Sequence, residues 1–300
     1  MDRIKQEVTV ERQVPGKPHT GKVLAIIFPH SDDFSIATGG TIAKLINEGY
    51  TGYFIRTTND EMDSFDLSVG ETILGNERDT KEMARILGIK KVFDLNYRNH
   101  YLDEVPPTEI RSRLIVLFRM LKVDTVISFD PWGHYEENPD HYVTAQAVEA
   151  ASWMAGGHLD EPEQIDAGLE PHSVSDRYYY SRGPQCVNRV VDIGPFVGTK
   201  LAAICANKTQ VGNMVSSMKS KLAKRNLKLP ILEVDGEMAI RNYSEAFLME
   251  ESRRVGCEYG IQYGEKYHYF TMPGESSHQY VQDYVKRHAI PLHNRTRPIS

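Results

Sequence analysis

Residues 22–28, KVLAIIF, run apolar without a break after the first lysine. A short continuous run of this kind predicts a strand covered on both faces. In SIATGGTIAKLINE (35–48) the apolar positions recur at helical spacing, and Gly49 closes the segment. TGYFIRTT (51–58) reads as a second strand and ERDTKEMARILG (77–88) as an amphipathic helix that stops at Gly88. The same alternation continues through the strand KVFDL (91–95), the helix EIRSRLIVLFRMLK (109–122), the strand DTVISFD (124–130) and a helix opening near Pro139 in NPDHYVTAQAVEAASWMAG (138–156). Further on, DRYYYSRG and NRVVDIG predict strands, while TKLAAICANKTQV and YSEAFLMEESRRVGCEYG predict helices. The tyrosine-rich stretches 178–180 and 267–270 suit buried β-structure.

Strands alternating with helices predict a Rossmann-like layered α/β fold with a mostly parallel sheet. An extended lead-in over 1–21, broken by Pro15, Gly16 and Pro18, precedes one domain over 22–275, and a polar tail or arm over 276–300 follows. The chain has 300 residues and a formal net charge of −6, which offers no footing for nucleic acid or an anionic membrane. No stretch has the length of a membrane span, and the first residues lack the apolar centre of a secretory signal. Three widely spaced cysteines (Cys186, Cys205, Cys257) read as reduced thiols in a cytoplasmic protein.

Ligands of such sheets bind at the carboxyl ends of the strands. FPHSDDF (28–34) and DPWGHYEENPDH (130–141) both begin at predicted strand ends and should open at the same edge. His30 and Asp33 lie three residues apart, so one tight turn can aim both at a single point. An imidazole and a carboxylate suit zinc, or another divalent metal, and His141 is the best third ligand from the second loop. Asp32 would then be a carboxylate beside the metal, placed to take a proton from water. The same aspartates could instead cap a helix N-terminus, and on spacing alone the two readings stand side by side. Gly39 and Gly40 fall inside the predicted helix, where close packing on the sheet suits them better than a phosphate does.

With both motifs in place, the chain resembles the N-acetylglucosaminyl-phosphatidylinositol de-N-acetylase (PIG-L-like) family. FPHSDDFSIATGGTIAKLINEGY is similar to its first signature and NPDHYVTAQAV to its second, with weaker echoes in VDIGPFVGTKLAAICANKTQV and YSEAFLMEE. The resemblance implies a zinc-dependent hydrolase that removes an N-acyl group, first of all N-acetyl, from a small amino sugar or glycoconjugate. It implies His30, Asp33 and His141 as ligands, Asp32 as general base, and Asp140 as the aspartate that orients a catalytic histidine. It also leaves room for a homo-oligomer, with no symmetry specified.

Departures from the family pattern qualify this reading. Asn138 stands where the family has a histidine that stabilises the oxyanion, and asparagine can donate a hydrogen bond but cannot pass a proton. Asp32 could act as base and then acid; His134, the preferred substitute, or Tyr135 could supply the missing group; or catalysis could be weak, leaving a metal-dependent sugar-binding protein. Phe34 replaces a glutamate and Asp60 a glycine. Asn76 replaces an arginine for which nearby Arg78 could substitute as a substrate-binding residue. Trp132 and Tyr135 could stack on a sugar ring. A nucleotide-binding protein with capping aspartates is the remaining alternative.

Overall fold

The computed structural model describes residues 8–271 and 279–290. Its first half is built from β1 (Thr9–Glu11), β2 (Val23–Phe28), α1 (Ser31–Asn47), β3 (Thr51–Thr58), α2 (Val69–Leu87), β4 (Lys91–Tyr97), α3 (Pro107–Leu121), β5 (Thr125–Phe129) and α4 (Pro139–Met154). A short α5 (Pro162–Asp166) leads to β6 (Asp176–Tyr180), β7 (Arg189–Asp192), α6 (Val197–Ala206) and α7 (Lys208–Ala223). The remaining elements are α8 (Gly236–Tyr243), α9 (Glu250–Glu258), β8 (Gly264–Thr271) and α10 (Gln279–His288).

One eight-stranded sheet runs in the order β1-β7-β8-β6-β5-β2-β3-β4. Every pairing is parallel except those of β8, which runs antiparallel to both β6 and β7. The fold is therefore the expected mostly parallel layered α/β architecture. Leu24, Ile26 and Phe28 of β2 face a core shared with α1 and α2, while Ala25 and Ile27 face a second core with α3 and α4. The strand thus has no solvent face, which is why its sequence lacks polar alternation. Tyr178, Tyr179 and Tyr267 are buried in these two cores, as the β-rich tyrosine stretches lead one to expect.

Several elements differ from the sequence reading. The lead-in carries β1, which pairs with β7 at the sheet edge, and Glu11 ties it to Lys44 (2.8 Å) and Arg189 (2.7 Å). Three residues are too few for a periodic signal. Helix α1 starts at Ser31, so SDD forms its first turn, and α2 starts at Val69, behind a capping box of Ser68 and Glu71. The C-terminal region expected as a tail includes α10, whereas residues 272–278 and 291–300 lie outside the described residues. No helix among the described residues is long and apolar enough to cross a membrane.

Helix α1 is pinned by a buried pair that the sequence does not announce. Lys200 of α6 meets Glu265 of β8 at 2.7 Å, and Glu265 also accepts the N–H groups of Gly40 (3.0 Å) and Thr41 (2.8 Å). A Cβ on Gly40 would stand 2.6 Å from Ile193, so this contact requires glycine. The pair of glycines serves close packing.

Candidate active site

Strands β2 and β5 are neighbours, yet the helices that follow them pack on opposite faces of the sheet. That divergence opens a crevice between their carboxyl ends, the place where α/β sheets bind ligands. His30 caps α1 and His141 lies in the first turn of α4, so both motifs meet in this crevice.

Three atoms converge there. His30 Nδ1 is 3.1 Å from Asp33 Oδ2 and 3.2 Å from His141 Nε2, and the last two are 3.5 Å apart. Ligand atoms set about 2.0–2.2 Å from a common tetrahedral ion stand roughly 3.3–3.6 Å from one another. Two imidazole nitrogens and one carboxylate oxygen, all drawn toward one point, share at most a proton or two among three sets of lone pairs. A divalent cation would satisfy all three, so these residues fit a metal. A second grouping, His30 with Asp60 and Asp63, is less suited, because Asp60 is already committed to Arg56 (2.9 Å) and to Ser31 Oγ (2.6 Å).

The surroundings orient these groups. Asp140, wholly buried, receives His30 Nε2 at 3.0 Å and the N–H groups of His100 (2.6 Å) and Leu102 (3.1 Å). Burial works against the charge on His30, but its bonds to Asp140 and Asp33 prevail and raise its pKa well above the ordinary imidazole value. Burial would push Asp33 up; the charge of His141 and the bond to His30 bring it below the usual carboxylate range. Asp32 behaves in the opposite way. Burial and the adjacent Asp33 raise its pKa well above normal, and its carboxylate has no hydrogen-bond partner among the described residues. Two neighbouring carboxylates driven apart in this manner can serve as a ligand and a proton carrier.

On the other side of His141, Phe129 stacks on the ring at 4.1 Å and 15°, and Glu136 Oε1 lies 3.2 Å from Nδ1, off the hydrogen-bond axis. Burial opposes the Glu136 charge, but His141 and Arg182 outweigh it and bring its pKa down to about 2. Asn138 caps α4: its Oδ1 accepts the Asp140 N–H at 3.0 Å, and Nδ2 takes no part in the cap.

The other residues singled out lie farther off. Arg78 is on the exposed face of α2 against Asp79, and does not join the trio. The guanidinium beneath this part of the site is that of Arg56, fully buried between Asp60 and Asp94. Asn76, also buried, donates to the Asp60 carbonyl at 3.0 Å. His134 is exposed, with the ring of Tyr135 at 6.3 Å, and Tyr135 is 91% exposed. Trp132 packs edge-on to Tyr179 and His268. Among the described contacts, none of these three rings touches His30, Asp33 or His141.

Phe34 is buried against Phe54 at 4.2 Å, so the side chain that replaces the family's glutamate belongs to the core. Asp60 has φ 54°, a left-handed conformation, which accounts for the glycine usual at that position. Sequence reading missed Glu136, Arg182 and the placement of His100, whose ring centroid is 6.4 Å from that of His30.

Comparison with known proteins bears on this site. A family model described as PIG-L, GlcNAc-PI de-N-acetylase, matches residues 25–152, which include both motifs. A diacetylchitobiose deacetylase of Thermococcus kodakarensis is 33% identical over 194 residues, covering 63% of this chain and 70% of that protein. A 1D-myo-inositol 2-acetamido-2-deoxy-alpha-D-glucopyranoside deacetylase of Mycobacteroides abscessus is 25% identical over 264 residues, covering 74% of this chain and 93% of that protein. Among solved structures, N,N'-diacetylchitobiose deacetylase from Pyrococcus horikoshii, in complex with its inhibitor MPG, superposes with a TM-score of 0.68 at 29% identity, over 83% of this chain and 84% of that one.

Proposed function

The chain belongs to the PIG-L family of GlcNAc-PI de-N-acetylase relatives, and we propose that it removes the N-acetyl group from an N-acetylglucosamine-containing saccharide or glycoconjugate, using a zinc ion held by His30, Asp33 and His141. The observation that carries this reading is the convergence of the three donor atoms within 3.1–3.5 Å of one another, next to a free carboxylate on Asp32. Both relatives are named as deacetylases of acetylated amino sugars.

When bound there, the ion would polarise the amide carbonyl and make water more acidic. Asp32 takes the proton of the attacking water as its oxygen bonds to the carbonyl carbon. The raised affinity of Asp32 for a proton suits it to hold that proton and pass it to the nitrogen as the C–N bond breaks, giving acetate and the free amine. This reading gives Asp32 both halves of the transfer, since His134 is exposed and its one described ring contact is with Tyr135. The Nδ2 end of Asn138, free of the cap, is the group available to donate to the carbonyl oxygen as negative charge develops there. Three free thiols suit the reducing interior of a cell.

The test is release of primary amine and acetate from N,N'-diacetylchitobiose and from N-acetylglucosamine. Activity lost to a chelator and restored by zinc is the expected result. A zinc-loaded protein that binds these sugars but releases no amine from any N-acetylated sugar would contradict the hydrolase reading.

A further inference from the structure

We propose that Glu136, clamped by Arg182, is a positioning residue that aims His141 at the metal, so that each histidine of the site has its own outer carboxylate. The inference rests on the metal-centre reading above and adds to it a pair of residues from two different strand ends.

The two histidines present opposite ring nitrogens to the shared point, Nδ1 for His30 and Nε2 for His141. Each must therefore be held from its other side. For His30 that support is Asp140, at 3.0 Å from Nε2. For His141 the plane of the ring is set by stacking on Phe129, 4.1 Å away, but stacking leaves rotation within that plane undetermined. The buried Nδ1 has no hydrogen-bond partner among the described residues, and Glu136 Oε1, 3.2 Å away but off the hydrogen-bond axis, is the acceptor that a small turn of the ring would bring into line. A carboxylate there favours the tautomer with its proton on Nδ1, which leaves the lone pair on Nε2 for the metal.

Glu136 is itself held by a fork. Arg182, just beyond β6, donates Nε to Oε2 at 3.1 Å and Nη2 to Oε1, and the Asn138 N–H adds a bond to Oε1 at 3.1 Å. A guanidinium fixes a carboxylate in one plane where an ammonium would not. Metal affinity should thus depend on an arginine whose side chain is 49% exposed and that is no ligand.

The experiment measures zinc dissociation constants by competition with a chromophoric chelator for wild type, Glu136→Gln, Arg182→Gln and Arg182→Lys, with visible spectra of the cobalt-loaded proteins. Glu136→Gln should weaken binding about 10–100-fold and alter the cobalt bands. Arg182→Gln should weaken it less, and Arg182→Lys should recover part of the loss. A purely structural role would leave the spectra unchanged. If wild type binds zinc and the glutamine variants bind it equally well, with wild-type spectra, the inference is overturned. If Glu136→Gln fails to fold, unchanged affinity in the Arg182 variants overturns it by itself. Failure of wild type to bind zinc would instead overturn the metal reading, and this inference with it.

Discussion

Asp140 on α4 holds the imidazole of His30, the cap residue of α1, with 3.0 Å between Oδ2 and Nε2. The aspartate of the second motif thus orients the histidine of the first, across 110 residues of chain. The residue expected to steer a catalytic histidine steers a candidate metal ligand. Asp140→Asn keeps the shape but weakens the acceptor that favours a proton on Nε2 and a lone pair on Nδ1. The expected result is about 10–100-fold weaker metal binding, measured by chelator competition, with the secondary structure intact by circular dichroism.

Asp32 and Asp33 are adjacent in sequence but separated in role. Asp32→Asn should retain metal at wild-type stoichiometry while turnover falls by about 10²–10⁴-fold. Metal content and amine release, measured on the same preparation, check this. Loss of metal along with activity would place Asp32 among the ligands instead.

The strand ends and both motif loops could be read from sequence because β2 (VLAIIF) is an unbroken apolar run, β5 (TVISF) is a short β-favouring one, and ionisable residues follow each within two positions. Convergence of His30, Asp33 and His141 then follows from the parallel topology. The supporting partners could not be read in the same way. Glu136 meets Arg182 across 46 residues and Lys200 meets Glu265 across 65, and no local period reports such pairs. Ser68 and Glu71 form a capping box that starts α2 eight residues before Glu77, where the sequence reading opened that helix. Asn76 and Asp60 looked like departures from a pattern, yet the two are joined through the Asp60 carbonyl beneath the site.

The Lys200–Glu265 pair gives a stability prediction. Glu265→Ala leaves a buried ammonium and the N–H groups of Gly40 and Thr41 without their acceptor. The expected loss is about 3–5 kcal/mol, read from urea unfolding. The double change Lys200→Met with Glu265→Gln removes both charges and should cost less than Glu265→Ala alone.

Asp130, at the end of β5, accepts from the Trp132 N–H (2.9 Å) and Gln185 (3.0 Å) and faces His268 at 3.4 Å. Burial alone would raise its pKa; His268 and these bonds overcome that and lower it. A carboxyl with a depressed folded value contributes stability above its unfolded pKa of about 3.9, and that contribution fades as pH falls through the folded value. The stability gap between wild type and Asp130→Asn should therefore be full at neutral pH and shrink below about pH 4. Urea titrations across that range check it; a gap that grows on acidification would reverse the assignment.

The central claim is that two loops at neighbouring strand ends make one metal centre, and metal content tests it most directly. Mass spectrometry of the purified chain should find about one zinc per molecule, lost in a His30→Ala, His141→Ala double variant that keeps its fold. A wild-type chain that remains metal-free after zinc is supplied, or a double variant that retains the ion, would contradict the account.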